Sequence, residues 1–273
     1  MYNLADLDAS LAGTVFAAKL HYAHVTDSTN SDALAAARNG APHGSVFFAD
    51  EQTAGRGRGG HQWLSTAGDG LYVSVVLRLN ISADRLMLLP LAVGLAAAQA
   101  IDEVTGLAVD IRWPNDLLIG PLKAGGILVE ARNESKDLLH AAVAGIGINV
   151  HQQSFPHGLA TPATSLDVAA GHRVSRQALL APLLCALGRE AEALADPELA
   201  RQIPARVEAA SSWVRGRKVE VHGPQACTGT TAGLDANGFL RVATAAGLVT
   251  VQTGGIREAA FSSQPSAFSP DHA

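Results

Sequence analysis

The chain has 273 residues, 48% hydrophobic and 16% charged, which allows one large core with a small companion and excludes wholesale disorder. A formal net charge of −5 lacks the basic excess that marks a general nucleic-acid binder. The two cysteines, Cys185 and Cys227, form no CxxC or Cys/His cluster with metal-ligand spacing, and this usage fits a reducing, cytoplasmic setting.

The N-terminal MYNLADLDASLAG is acidic and has no basic stretch followed by an apolar one, so no signal peptide is expected. Asp27, Ser28, Thr29 and Asn30 offer caps for an alanine-rich helix over 31–38, with Gly40 where a left-handed C-terminal residue is wanted. Residues 45–51 (SVFFADE) read as a strand feeding a glycine/arginine loop, and the alternating 70–79 (GLYVSVVLRL) as a second strand. A helix is predicted over 85–104. Its apolar run, 86–101, is too short for a membrane span and contains Pro90, Gly94 and Gln99, so it belongs in a core. Further strands are expected over 109–113, 116–119, 126–132 and 140–150. The glycines of Gly145-Ile146-Gly147-Ile148-Asn149-Val150 weaken the last of these by propensity and mark a place where a ligand or another backbone comes close. Helices follow over 175–195, where Cys185 reads as a buried thiol, and over 197–209. This order predicts a mixed α+β layer rather than a regular βαβ repeat. From about residue 211 the chain changes to short strands at 218–221, 229–234, 239–243 and 248–252 with an Asn237-Gly238 turn, which suggests a small β-barrel. Residues 262–273 read as a frayed tail.

Two stretches carry the chemistry. Residues 52–63 read QTAGRGRGGHQW, with four glycines and two arginines between Gly55 and Gly60. Glycine lets backbone approach a ligand, and guanidinium groups between glycines suit a carboxylate or phosphate. Flanking strands favour a loop in a folded domain over a disordered RNA contact. The order GxxxxGK[ST] is absent, and no dinucleotide-binding helix with a downstream acid follows, so the loop alone says only that an anion is handled. The second stretch, 112–130, reads RWPNDLLIGPLKAGGILVE. Its Trp113-Pro114-Asn115-Asp116 reads equally as a hairpin turn and as a site mouth where an amide and a carboxylate hold a nucleotide or Mg²⁺. Lys123 is either a solvated charge at a strand start or, beside its glycine pair, an ammonium fixed for a reacting phosphate.

Five ordered motifs resemble the biotin–protein ligases (biotin–[acetyl-CoA-carboxylase] ligases). They are DSTN at 27–30, EQTAGRGR…W over 51–63, RWPNDL at 112–117, KAGGILVE at 123–130 and GIGINV at 145–150, and the likeness runs from about residue 20 to 257. The resemblance implies an α+β catalytic domain like those of class II aminoacyl-tRNA synthetases over 1–212, an SH3-like barrel over 213–260 and a flexible tail over 261–273. It also implies that biotin and MgATP give biotinyl-5′-AMP, whose biotinyl group passes to one lysine of a biotin carboxyl carrier domain of a biotin-dependent carboxylase. By match to the family, Ser28, Thr29, Asn30 and Gln52 hydrogen-bond biotin, and Gly125, Gly126 and Gly145 let its rings lie against backbone. Trp63, Asn115 and Asn149 face the adenylate. Gly55, Arg56, Gly57 and Arg58 form the anion loop, with Arg56, Arg58 and Lys123 as the catalytic cations. Asp116 is expected as a Mg²⁺ contact or an aid in deprotonating the acceptor amine.

Two departures stand out. The family often has arginines after the GRGR core, where this chain has Gly59 and His61, and often has lysine where Arg112 precedes WPND. Only about twenty residues precede the match, which predicts a ligase without a helix-turn-helix, using no nucleic acid and no membrane and leaving a homodimer open. The rivals are a lipoate or octanoate ligase, a catalytically silent biotin-binding regulator and, more remotely, a nucleic-acid module.

Overall fold

The computed structural model describes residues 2–133 and 138–259. In chain order the elements are α1 (Leu4–Ser10), β1 (Leu20–Thr26), α2 (Thr29–Arg38), β2 (Ser45–Gln52), β3 (Gly70–Leu77), β4 (Ile81–Ser82) and α3 (Leu89–Thr105). There follow β5 (Asp110–Arg112), β6 (Asp116–Ile119), β7 (Leu122–Asn133), β8 (Leu138–Asn149), α4 (Leu166–Ala170), α5 (Arg176–Ala195), α6 (Pro197–Ala200) and α7 (Ile203–Ala209). Five strands close the chain: β9 (Arg215–His222), β10 (Cys227–Leu234), β11 (Leu240–Thr244), β12 (Gly247–Val251) and β13 (Gly255–Glu258).

The large sheet runs β1-β2-β3-β8-β7-β6-β5, with β4 added beside β8. Only β1 and β2 run parallel; the remaining neighbours are antiparallel, so the fold is α+β with a mixed sheet. Side chains alternate across a strand, and the sequence of β3 uses that period: Leu71, Val73, Val75 and Leu77 join the core with α3 and α5. Val76, from the other face, packs under Ala33 of α2. The strand β8 repeats the pattern, sending Ala144, Ile146 and Ile148 into the core. Its alternate positions, Gly145 and Gly147, pair with Ser74 and Tyr72 of β3 and with Leu128 and Gly126 of β7. The Gly–Ile alternation therefore gives one greasy face and one face with almost no side chains. That bare face becomes the floor of the site.

The helix with the preceding turn, Arg85–Thr105, is apolar and long enough to cross a membrane by length and composition. Its packing makes it a core helix: Leu89, Leu91, Val93, Ala97 and Ile101 are buried against the sheet and α5. Ser28 caps α2 by its extended backbone without a side-chain bond, and Gly40 takes φ +85° beyond its C-terminus as expected. Five short elements escaped the sequence reading: α1, β1, β4, α4 and β13. The helix expected over 197–209 is two, because Pro204 starts a new first turn where its missing N–H costs nothing. The strand expected from 126 begins at Leu122, so Lys123 lies inside it, its N–H donating to the Pro162 carbonyl at 2.8 Å. Cys185 is half-buried rather than buried, and both cysteines are free.

The small sheet runs β12-β11-β10-β9-β13, antiparallel throughout, and no ladder joins its end strands among the described residues. It meets the large domain at Glu208 of α7, which accepts from the Leu234 N–H and pairs with Arg215, and at two turns. The Trp113 indole N–H donates to the Gly238 carbonyl at 3.0 Å, and Arg58 reaches the turn at Thr253 and Gly254. The tail expected to fray, 262–273, lies outside the described residues.

Candidate functional site

Over the bare face of β8 and β7 lies a cleft of about 820 Å³, walled by the N-terminus of α2, the glycine/arginine loop, the β5–β6 turn, residues 152–163 and two turns of the small sheet. Another concavity, of about 750 Å³, lies by α1 and α5; Arg189 is the one cation among the residues lining it. In the first cleft the predicted residues converge, except Gly55 and Gly125, which do not line it.

One side is neutral and internally satisfied. Ser28, Thr29 and Asn30 are 2%, 4% and 4% exposed. The Thr29 N–H donates to Gln52 Oε1 at 2.9 Å, and its hydroxyl lies 2.8 Å from Ser74 Oγ. Ser74 donates to Asn30 Oδ1 at 2.6 Å, and Gln52 Nε2 donates to Ser65 Oγ at 2.7 Å. Gly145 exists for this network: a Cβ built there would stand 2.1 Å from Asn30 Oδ1. At Gly147 a Cβ would meet the Trp63 indole at 2.6 Å, and at Gly126 it would come within 3.5 Å of both Trp63 and Lys123. At Gly125 it would come 3.0 Å from the Gly147 carbonyl and the Leu117 side chain. In this structure the room left by these glycines is taken first by the protein's own groups, which in turn shape the cleft.

The other side is charged. Lys123 Nζ lies 2.5 Å from Asp116 Oδ1 and 5.4 Å from the centre of the Trp63 ring. Arg112 donates to Asp116 Oδ2 through Nε at 3.1 Å and Nη2 at 2.6 Å. Burial alone would raise the Asp116 carboxyl, but Lys123 and Arg112 beside it hold it below the usual carboxylate range. A carboxyl so held is a weak base at neutral pH. Its place is as counter-ion to Lys123. Both of its oxygens face cations of the protein. Among the described residues no cluster of three His, Cys, Asp or Glu side chains is set to hold a metal ion.

The loop between the two sides is ordered by its own bonds. Gly57 N–H donates to the His61 carbonyl at 2.7 Å, and Trp63 N–H to the Gly55 carbonyl at 2.9 Å. Gly59 and Gly60 take φ +68° and +80°, conformations that strain an L side chain. Arg56 donates to Glu130 Oε2. Arg58 donates to the Gly254 carbonyl and, at 2.9 Å, to Thr253 Oγ1. Asn115 and Asn149 line the cleft but have their amide N–H groups on backbone, at Ile127 O (2.9 Å) and Thr164 O (3.0 Å). Sequence reasoning missed Ser74, Gln152, His222 and Arg257 in the lining, and gave Glu130 no role. Only their contacts across the fold reveal them.

A family model described as the biotin/lipoate A/B protein ligase family matches residues 22–149. A biotin–[acetyl-CoA-carboxylase] ligase of Mycobacterium tuberculosis is 34% identical over 242 residues, 85% of this chain and 85% of that one. The chain belongs to the biotin–protein ligase family. The bifunctional ligase/repressor BirA of Bacillus subtilis is 40% identical over 182 residues, 66% of this chain, and the match spans 56% of that protein's length. Among solved structures, a biotin protein ligase from Aquifex aeolicus in complex with biotin and ATP superposes with a TM-score of 0.74 at 29% identity, covering 88% of this chain and 98% of that one. The family's motifs, at DSTN, the glycine/arginine loop, WPND, Lys123 and GIGINV, are the segments that wall and floor the cleft.

Proposed function

We propose that the chain is a biotin–protein ligase in activity as well as in family: it joins biotin to AMP at the expense of ATP, then biotinylates one lysine of a carboxyl carrier domain. One observation carries the reading. Five cations (Arg56, Arg58, Arg112, Lys123 and Arg257) and a single carboxylate, Asp116, line the cleft of a chain whose net charge is −5. Such a local excess is what two mutually repelling anions require.

In the first step an oxygen of the biotin carboxylate attacks the α-phosphorus of ATP. The bond to the bridging oxygen breaks, and pyrophosphate leaves with its electron pair. Bringing two anions to about 4 Å costs roughly 4 kcal/mol at the effective dielectric of a protein surface. Lys123, turned toward the substrates from Asp116, and Arg56 and Arg58 offset that cost by position and charge. Ser28, Thr29, Asn30 and Gln52 are read as the hydrogen-bonding wall for the neutral rings of biotin. Trp63, Asn115 and Asn149 are read as the adenylate side, with Gly55 and Gly57 shaping the loop. In the second step the acceptor amine attacks the acyl carbon, AMP departs, and the amine loses a proton to solvent or to the departing phosphate. Mg²⁺ enters only on the nucleotide, as part of the substrate.

We read 1–212 as a catalytic unit related to class II synthetases and 213–260 as an SH3-like module that braces the loop through Arg58 and helps seat the carrier. The remaining 261–273 we read as a tail. A cytoplasmic location and an optional homodimer complete the reading. The test is pyrophosphate release from MgATP with biotin, with and without a carrier domain, and with lipoate in parallel because the family model spans both. Biotin-dependent release and a mass gain on the carrier are expected. Release with lipoate alone would overturn the specificity, and biotin binding without release would leave a silent regulator.

A further inference from the structure

On the cleft face of β7, Gly126 and Leu128 line the cleft, whereas Glu130 of the same face stands behind it. Its Oε2 accepts two hydrogen bonds at once, from Asn30 Nδ2 at 2.8 Å and from Arg56 Nη2. A single oxygen thus joins the neutral wall to the cationic loop, across sequence separations of 100 and 74 residues.

The direction of the network from Asn30 to the Thr29 hydroxyl follows from that oxygen and from the Leu128 carbonyl beside it. A carboxylate only accepts. Asn30 must therefore turn its amide N–H groups toward Glu130 and the Leu128 carbonyl, and its Oδ1 toward Ser74. Ser74 gives its one proton to Asn30, so its oxygen accepts from the Thr29 hydroxyl. Gln52 Oε1 then takes the Thr29 N–H, and Gln52 Nε2 is left to donate to Ser65. Glu130, with the Leu128 carbonyl, thus sets the sense of Asn30, Ser74 and the Thr29 hydroxyl, while the Thr29 N–H sets that of Gln52. The same oxygen holds the Arg56 guanidinium at the loop's entry, facing the cleft.

We infer that Glu130 is a positioning residue for the adenylation step: it fixes the hydrogen-bonding sense of Asn30 and Thr29 toward biotin and, through one oxygen, the place of Arg56 toward the nucleotide. This rests on the ligase reading above. The consequence is thermodynamic coupling. Biotin settling on Asn30 and the nucleotide settling on Arg56 both act on the same carboxylate, so occupancy of one changes the affinity for the other.

The experiment uses the full chain: calorimetric titration with biotin, and initial rates of pyrophosphate release with biotin and ATP varied in turn. The variants are Glu130→Gln, Glu130→Asp, Arg56→Ala and the double Glu130→Gln/Arg56→Ala. The amide of Glu130→Gln can present an N–H as readily as an oxygen to Asn30, leaving the Leu128 carbonyl alone to fix the Asn30 amide, and it holds Arg56 without charge. It is expected to raise the biotin Kd and the KM for ATP each about tenfold, the size of one hydrogen bond to a charged group, with a smaller change in kcat. Adding Arg56→Ala to Glu130→Gln is expected to raise the KM for ATP far less than Arg56→Ala does in the wild type, because the two act as a unit. A role confined to folding would give additive effects. The inference is overturned by a biotin Kd within about twofold of wild type in Glu130→Gln, or by full additivity. Should Glu130→Gln not fold, Glu130→Asp decides on the same two readouts: its shorter carboxylate keeps the charge but cannot reach both donors, and wild-type values there overturn the inference. A wild-type chain that binds no biotin sinks the ligase reading itself, which the titration shows before any variant is made.

Discussion

Thr29 and Lys123 face the same cleft from opposite sides of β8, and they are held by different kinds of partner. Around Thr29 the groups are neutral, nearly inaccessible and bonded to one another, each donor matched to an acceptor within the protein. Around Lys123 they are charged, partly exposed and paired with ions that a substrate anion can replace. The first arrangement is rigid before anything binds, so it suits recognition of a fixed shape. The second keeps strong charges in place on exchangeable partners, so it suits a reaction in which negative charge moves. On the proposed ligase reading, the difference assigns recognition to the α2 side and chemistry to the β6–β7 side.

Lys123→Ala puts this division to its hardest test. It should lower kcat for pyrophosphate release by about 100- to 1,000-fold, in line with removal of one preorganised charge-stabilising group. Biotin affinity should change by much less, and equal losses in both would break the division. Gly145→Ala is the converse probe, because its Cβ falls on the Asn30 amide. It should cost about 1–3 kcal/mol of stability, read by thermal unfolding, and weaken biotin binding by a comparable factor. Unchanged biotin titration would show that Asn30 is not held as tightly as its bonds imply. Arg58→Gly removes the contacts to Thr253 and Gly254 and one cation. Escape of biotinyl-AMP, read as labelling of an unrelated protein, should rise about tenfold. The smallest effect is on pH. Burial alone would raise the carboxyls of Asp116, Asp50 and Glu208. Lys123 and Arg112, Tyr22 and Arg176, and the Leu234 amide with Arg215, respectively, more than offset it and lower all three. Groups lowered on folding contribute stability that is present above their unfolded values and lost as pH falls through the folded ones. Melting temperature should therefore be flat above about pH 5 and decline below about pH 4, with a shallower decline in Asp116→Asn.

The legible part of the molecule was the part written in short-range pattern. The Gly–Ile alternation of 145–148 and the β-branched run at 70–77 each carry their structural reason within a few neighbours, whereas Thr29 and Asn30, expected as caps, lie inside α2. The glycine/arginine loop announces an anion, and only its resemblance to a family supplied the rest. What stayed hidden depends on partners far along the chain. Ser74 looks like any strand serine until Asn30 and Thr29 arrive from 44 and 45 residues away. Glu130 ends a motif and looks solvated until Asn30 and Arg56 converge on it. Asp116 reads from sequence as a lone acid free for metal or proton, and becomes a counter-ion only once Arg112 and Lys123 fold onto it. The short α1 was readable in principle: Asn3 Oδ1 accepts from the N–H groups of Ala5 and Asp6, a cap in an N-terminus passed over as merely acidic.

The two turns by which the small sheet grips the large domain bear on where the polypeptide could be divided. Composition places a seam near residue 212, yet Gly238 accepts the buried indole N–H of Trp113 and its turn presses on Leu88 and Leu91, while Gly254 accepts from Arg58. Cutting at that seam would strip the acceptor from a buried donor of the core and the anchor from the glycine/arginine loop in one stroke. The compositional seam is not a seam of cooperativity, and the shorter fragment is expected to lose its tenancy of the native state rather than survive as a free-standing enzyme.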